Sequence, residues 1–381
     1  MRIRSLHLVS FRAHNDNKVT FARKVNLLFG PNGAGKTNIL EAIHYLCLSK
    51  SFLATRDTYA LQEGAPFFEL DGQFESERGR ELSVRLVYVP AEGKRVLVNR
   101  APLERLSQIV GQLPVVVFSP EDQVLTAGGP EERRRFMDNI LSQARPVYLD
   151  DLISYRRALK QRNELLLRHR RGRGAGLSDE VLNSWTAELV VLGSRIVAMR
   201  LRFVSEFKAF LEKAFSCIEG GIEDPTLTYE TITPLEPDAT IEEIEHKFGG
   251  KLTRVSRRER EVGRTLAGPH LDEIIFRTNG REVRRYASQG QHRTFGMAIK
   301  LAQYFYLADR LEESPILLLD DVFGNLDPER TRVLMMLLQT EAVGQSIITT
   351  AHAEPLLAHL AFDESTSKAM EVVGGCVVAP V

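Results

Sequence analysis

The stretch Phe29-Gly30-Pro31-Asn32-Gly33-Ala34-Gly35-Lys36-Thr37-Asn38 decides the fold. It contains G-x-x-x-x-G-K-T, the pattern of a phosphate-binding loop. Val25-Asn26-Leu27-Leu28-Phe29 before it is short, apolar and strand-like, and Ile39 to Leu46 after it is rich in helix formers. Strand, glycine loop, helix is the context in which the pattern has a mechanism. Gly30, Gly33 and Gly35 let the backbone wrap close to phosphate oxygens, while loop N–H groups and the helix N-terminus face the anion. Lys36 is then expected at the β- and γ-phosphates of ATP, and Thr37 on Mg²⁺. Pro31, Asn32, Ala34 and Asn38 complete the expected ATP contacts.

Composition narrows the class. A chain of 381 residues suggests about two domains. Lys plus Arg is 50 and Asp plus Glu is 50, for a net charge of zero. Whole-chain charge therefore predicts no wholesale binding to nucleic acid or membrane, and any nucleic-acid site must be a local patch. Cys47, Cys217 and Cys376 lie far apart and form neither a C-x-x-C pair nor a disulfide framework, which fits a reducing cytosol. Met1 to His7 alternates like a strand and has no signal-peptide core. No apolar run approaches the ~20 residues that cross a bilayer. The expectation is a soluble cytoplasmic protein.

Taken in order, residues 1 to 30 read as strands leading to the glycine loop. Phe11 to Asn15 reads as a polar turn, where Arg12 is either a nucleotide contact or a surface arginine. Residues 66 to 118 alternate with period 2 between glycines, which predicts antiparallel strands ending in the buried run Pro114 to Phe118. From Ser119 to about Gly263 the chain becomes mostly helical and charge-rich. Pro315-Ile316-Leu317-Leu318-Leu319-Asp320 and Gln345 to Thr350 read as buried parallel strands. The predicted fold is α/β: a discontinuous ATPase head (1–119 and 265–381) with an antiparallel β portion, and an inserted helical lobe (120–264).

Four further signals accompany the loop. Asp320 ends an apolar strand, where ligands of open α/β sheets bind, and suits the Mg²⁺ shell. Asp321 follows it and is placed to polarise water, although such a pair also serves as a helix cap. Ser288-Gln289-Gly290-Gln291 opens an apolar helix, which makes it a phosphate site or an ordinary cap. Gly324-Asn325-Leu326-Asp327 follows the acids, and His352 follows a strand, where a histidine beside a nucleotide can sense its γ-phosphate.

This order of five motifs resembles the ATP-binding-cassette class. The class implies two heads sandwiching ATP, with Ser288 acting on nucleotide held by Lys36 of a second copy and Asp327 in the D-loop. Two departures, Gln289 for a glycine and Asp321 for a glutamate, are those of the RecF family of bacterial recombination mediators. Phe118 to Asp122, Gly129-Pro130 with Arg133 to Asp138, Leu159 to Asn163, and Gly268-Pro269-His270 with Asp272 resemble that family too. Leu271 stands where the family commonly carries a basic residue.

The resemblance implies a cytosolic DNA-repair ATPase with ATP and Mg²⁺ as cofactors. It implies an ATP-dependent homodimer at single-/double-stranded DNA junctions in gaps. RecR and RecO would be its partners in loading RecA and in the SOS response, with slow hydrolysis resetting the dimer. Lys36, Asp321 and His352 would be its catalytic residues. Gln112 and Gln123 both remain candidates for the Mg²⁺-sensing glutamine.

Basic clusters at Arg133 to Arg135, Arg156 to Arg162, Arg168 to Arg173 and Arg254 to Arg260 are candidate DNA-phosphate contacts. Arg168, Arg170 and Arg171 are the first choice; solvated helix faces are the alternative. A transporter ATPase subunit would have far less chain between loop and signature. A chromosome-structuring protein of the SMC type would need a much longer coiled coil, whereas a nucleotide-gated scaffold of that type without useful turnover stays open as the alternative.

Overall fold

The computed structural model describes residues 1–171, 179–219, 224–360 and 366–380. The chain divides into two compact units: Met1–Asp122, Ala214–Gly221 and Thr294–Val381 form the first, and Gln123–Lys213 and Ile222–Arg293 the second.

The first unit holds two six-stranded sheets. One is antiparallel: β1 (Arg2–Phe11), β2 (His14–Thr20), β4 (Phe68–Glu75), β5 (Glu81–Val89), β6 (Gly93–Val98) and β7 (Ala101–Pro102), in the order β2-β1-β4-β5-β6-β7. Alternation puts Leu70 and Phe74 of β4, with Leu82, Val84 and Leu86 of β5, on one buried face. The other sheet runs β15-β14-β3-β13-β12-β8. Its members are β3 (Val25–Phe29), β8 (Val115–Phe118), β12 (Ile316–Asp320), β13 (Ser346–Thr350), β14 (Ser367–Val373) and β15 (Cys376–Pro380). β14, β3, β13, β12 and β8 are mutually parallel, and every residue of β12 and β13 is buried.

Helix α1 (Lys36–Leu48) is apolar on nearly all sides, as a helix covered on all sides must be. Ile39, Leu40, Ile43 and Leu46 share one core with Leu70 and Leu86 of the first sheet and Leu318 and Ile347 of the second. Phe11 meets Phe68 edge to face at 5.2 Å and Tyr45 at 5.7 Å.

The second unit contains α2 (Gln123–Ala127), α3 (Pro130–Ala144), α4 (Pro146–Arg170) and most of α5 (Asp179–Glu219). It continues with β9 (Pro225–Glu230), α6 (Ile241–Val262), β10 (Glu273–Thr278), β11 (Arg281–Glu282), α7 (Val283–Tyr286) and the start of α8 (Gln289–Leu311). β10 pairs antiparallel with β9. That pairing places 273–278 in the second unit, which runs to Arg293. Thr240 and Glu243 cap α6 reciprocally, and Gly263 (φ 78°) ends it. In the first unit α9 (Pro328–Gln339) is capped by Asp327, whose side chain accepts from the Arg330 N–H.

A buried polar network organises the second unit. Arg200 Nη2 donates to Asp138 Oδ1 at 2.7 Å, and its Nη1 donates to Asp272 Oδ2 at 3.1 Å and Pro269 O at 2.7 Å. Arg162 donates to Glu259 (2.7 Å) and Thr265 (2.8 Å). Three of the stretches singled out in the sequence thus meet here: Arg133 to Asp138, Leu159 to Asn163 and Gly268 to Asp272.

His270 Nδ1 lies 2.7 Å from the Tyr155 hydroxyl, and burial, with Arg134, Arg200 and Arg162 near, pushes its pKa down to about 4. The unfolded chain takes up a proton near 6.5 that the folded chain refuses until about 4. Stability is therefore fully present above pH 6.5 and falls as pH drops toward 4, by about 3 kcal/mol for this group. Urea titrations from pH 7 to 4 should show that slope, and His270→Gln should remove it; an unchanged slope would assign the loss to other groups.

Among the described residues, no helix is long and apolar enough to cross a membrane. Cys47 is buried, Cys217 intermediate and Cys376 exposed, all as free thiols.

Candidate nucleotide site

Parallel pairing of β3, β13 and β12 turns their carboxyl ends the same way, so the loop after β3 and the acids ending β12 share one edge of the sheet. Residues 30–35 form the loop and α1 starts at Lys36. Gly30 has φ 143°, and a Cβ there would lie 2.3 Å from Val372 O of β14. The loop thus passes too close to the sheet for any side chain.

The Lys36 ammonium donates to Gly30 O at 2.8 Å and Pro31 O at 2.9 Å, which folds it back across the loop. Burial lowers its pKa, partly offset by the carboxylates of Asp321 and Asp320. Thr37 Oγ1 donates to Asp320 Oδ1 at 2.7 Å, and Thr349 Oγ1 donates to the same oxygen at 2.8 Å. Burial raises the pKa of Asp320, and the neighbouring Asp321 adds to this against the two hydroxyls and Lys36. A buried carboxylate held by hydroxyls, with its charge disfavoured by a second acid, is a place for a hard cation. The residues present therefore fit Mg²⁺. Among the described residues no cluster of three or more His, Cys, Asp or Glu side chains offers a metal cage.

Asp321 is exposed and sits at φ 48°, a left-handed conformation uncommon for a residue other than glycine. Its N–H donates to Thr349 O (3.2 Å) and Oγ1 (3.0 Å), so the end of β13 fixes the bend. His352 is exposed and lines a hollow with Phe29, Ala353 and Leu357. Its backbone closes on Thr350 Oγ1, which accepts from His352 N (3.3 Å) and donates to His352 O (3.0 Å).

Arg12 is half-buried and paired. Its guanidinium forks onto buried Glu41 of α1, Nε to Oε2 at 2.8 Å and Nη2 to Oε1 at 2.7 Å, and Nη1 donates to Tyr59 O at 2.7 Å. Gln112 precedes β8 and turns its amide onto Gln108 O at 2.7 Å. Gln123 follows the carboxyl end of β8 and opens α2.

In the second unit, Ser288 Oγ accepts from Gln291 N (3.3 Å) and Gln291 Oε1 accepts from Ser288 N (3.0 Å), a reciprocal cap on α8. Ser288, Gln289, Gly290 and Gln291 are all exposed. Of the basic clusters, Arg133 and Arg162 turn inward: Arg133 is buried on Glu273 (2.7 Å) and Arg162 on Glu259. Arg168, Arg170 and Arg171 are exposed at the end of α4, with Arg170 also donating to Val262 O at 3.2 Å. The rest of the basic loop, residues 172–178, lies outside the described residues.

The family model of the RecF/RecN/SMC N-terminal domain matches residues 2–371. A DNA replication and repair protein RecF of Salinibacter ruber is 53% identical over 381 residues, all of this chain and 92% of that protein. One of Chloroherpeton thalassium is 45% identical, covering 92% of this chain and 95% of that protein. Among solved structures, the recombination mediator protein RecF with ATP, of the RecFOR pathway, superposes with a TM-score of 0.90 at 28% identity over 100% of this chain and 97% of that one. An Smc head domain of Pyrococcus furiosus shares the fold, with a TM-score of 0.57 at 16% identity over 100% of this chain and 96% of that one.

Proposed function

This chain belongs to the RecF family of DNA replication and repair proteins, and from that premise we propose that it is an ATPase whose nucleotide-driven pairing operates at DNA gaps. The observation that carries the nucleotide reading is the hydrogen bond from Thr37 to Asp320. It joins the loop to the acid strand across 283 residues of sequence, at the point where Mg²⁺ and phosphate would be held.

Each residue has a role in this reading. Gly30 to Asn38 cradle the phosphates, and Lys36 swings from the loop carbonyls to the β- and γ-phosphates. Thr37 and Asp320 hold Mg²⁺, which would neutralise charge on the transferred group. Asp321, fixed by Thr349, orients water, and His352 reads the γ-phosphate. Gln112 and Gln123 both remain candidates for the Mg²⁺-sensing glutamine. Arg12 sets the start of α1 through Glu41. Ser288 to Gln291, exposed at the start of α8, complete the site of a second copy, and Asp327 lies in the D-loop between copies.

Arg168, Arg170 and Arg171 are exposed cations suited to DNA phosphates at single-/double-stranded junctions. RecR, RecO and RecA are the proposed partners, in the cytoplasm, with RecA loading and the SOS response as the outcome. The inserted lobe would be the part of the chain that meets DNA.

Sedimentation of Asp321→Asn, expected to bind ATP without turning it over, tests this reading with and without gapped duplex. A dimer is expected only with ATP and Mg²⁺, and Ser288→Arg in the same background should return it to monomer. A monomer under ATP even on gapped DNA would overturn the pairing.

A further inference from the structure

We propose that His14 is a positioning residue which, with the turn Gly374–Gly375, holds the phosphate loop in the form that accepts a nucleotide. The proposal rests on the nucleotide reading above. His14 opens β2 and is fully buried. Its Nε2 lies 3.0 Å from Gly35 O, and its Nδ1 lies 2.6 Å from Gly375 O in the turn between β14 and β15. Both oxygens only accept, so each contact is a hydrogen bond when the ring nitrogen facing it carries a proton. The same turn reaches the loop directly, with Gly375 N donating to Ala34 O at 3.0 Å. Asn17 Nδ2 adds a hydrogen bond to Gly375 O at 3.2 Å. Gly375 has φ 79°, and a Cβ there would lie 2.1 Å from Ala13 O, so the turn packs directly against the chain beside His14.

These contacts take the carbonyls of Ala34 and Gly35, the last two before Lys36. In a planar trans peptide the C=O and N–H point opposite ways. Drawing those two carbonyls toward His14 and Gly375 turns the N–H groups of Gly35 and Lys36 the other way, where an anion at the helix start would sit. The Gly35 carbonyl also accepts from Asn38 N at 3.1 Å, so the first turn of α1 is fixed by the same oxygen. His14 thus touches no nucleotide in this account. It acts through the backbone of the loop, and so does the hairpin β14–β15.

The test is the affinity of a fluorescent ATP analogue for wild type, His14→Phe and His14→Gln, beside the melting temperature of each without nucleotide. Phe fills the space without an N–H, and Gln keeps one amide donor. Loss of the ring N–H, which a neutral His14 donates to one of these carbonyls, should weaken binding by about tenfold in His14→Phe. His14→Gln should recover part of it, with melting temperatures unchanged. Wild-type affinity in His14→Phe, equal losses in both variants, or losses that track the melting temperature would overturn the proposal alone. Failure of the wild type itself to bind the analogue would instead overturn the nucleotide reading.

Discussion

Lys36→Arg should lower ATP turnover by at least about a hundredfold, the scale on which removing one well-placed charge-stabilising donor acts. The substitution keeps the positive charge, so a loss would report shape rather than electrostatics alone. The ammonium is compact enough to fold between Gly30 O and Pro31 O. A planar guanidinium is larger, presents its donors in a fixed fork, and has no equivalent place across a loop that already touches Val372 O. Steady-state phosphate release, with circular dichroism as the control on folding, measures the effect. Turnover within threefold of wild type would remove Lys36 from the catalytic site and with it the reading of the loop.

Arg200→Met should destabilise the helical lobe by about 3–5 kcal/mol, the range for removing one partner of a buried ionic network. Met keeps much of the length and none of the charge. It leaves Asp138 and Asp272 without their shared cation, at positions where the Arg200 side chain is 2% exposed. The hydroxyl of Tyr148 donates to Asp138 Oδ1 at 2.5 Å, and that of Tyr229 donates to Asp272, so part of each carboxylate stays satisfied. Burial already raises the pKa of Asp272, and Arg200 opposes that rise. Without Arg200 the acid is raised further, so the variant should lose more stability at pH 8 than at pH 5, because lower pH favours the protonated acid that the buried site prefers. Urea unfolding at both pH values measures this. A loss below about 1 kcal/mol would show that the network holds no net stability.

Much of the head could be read from the chain because its signals are local. The glycine loop between strand and helix, the apolar runs of β12 and β13, and the alternation of β4 and β5 each state their structure within a few residues. β2 was hidden because its sequence, His14-Asn15-Asp16-Asn17-Lys18-Val19-Thr20, is polar; only His14, Asn17 and Val19 turn inward, and pairing with β1 makes the strand. No motif marks β14 within the head segment, yet it pairs with β3 and its turn braces the loop. No pattern within fifteen residues encodes a contact across 361 positions, such as that of His14 with Gly375. The two interior members of the basic clusters were hidden for a related reason. Arg133 and Arg162 look like their exposed neighbours in sequence, and only the acids placed opposite them, Glu273 and Glu259, mark them as interior.

The neighbours of β3 carry a consequence for synthesis. β3 is made near the start of the chain, but the strands on its two sides, Ser346–Thr350 and Ser367–Val373, are made last. Until they emerge, an apolar strand has two open edges and the helix after it has only one sheet to cover it. Such distant pairing is slow, and open strand edges are prone to pair wrongly. The second unit, Gln123–Lys213 and Ile222–Arg293, is complete long before and can fold first. The nascent chain should therefore pass through a state with a formed helical lobe and an unfinished head, needing protection of Val25–Phe29 until its last strand leaves the ribosome.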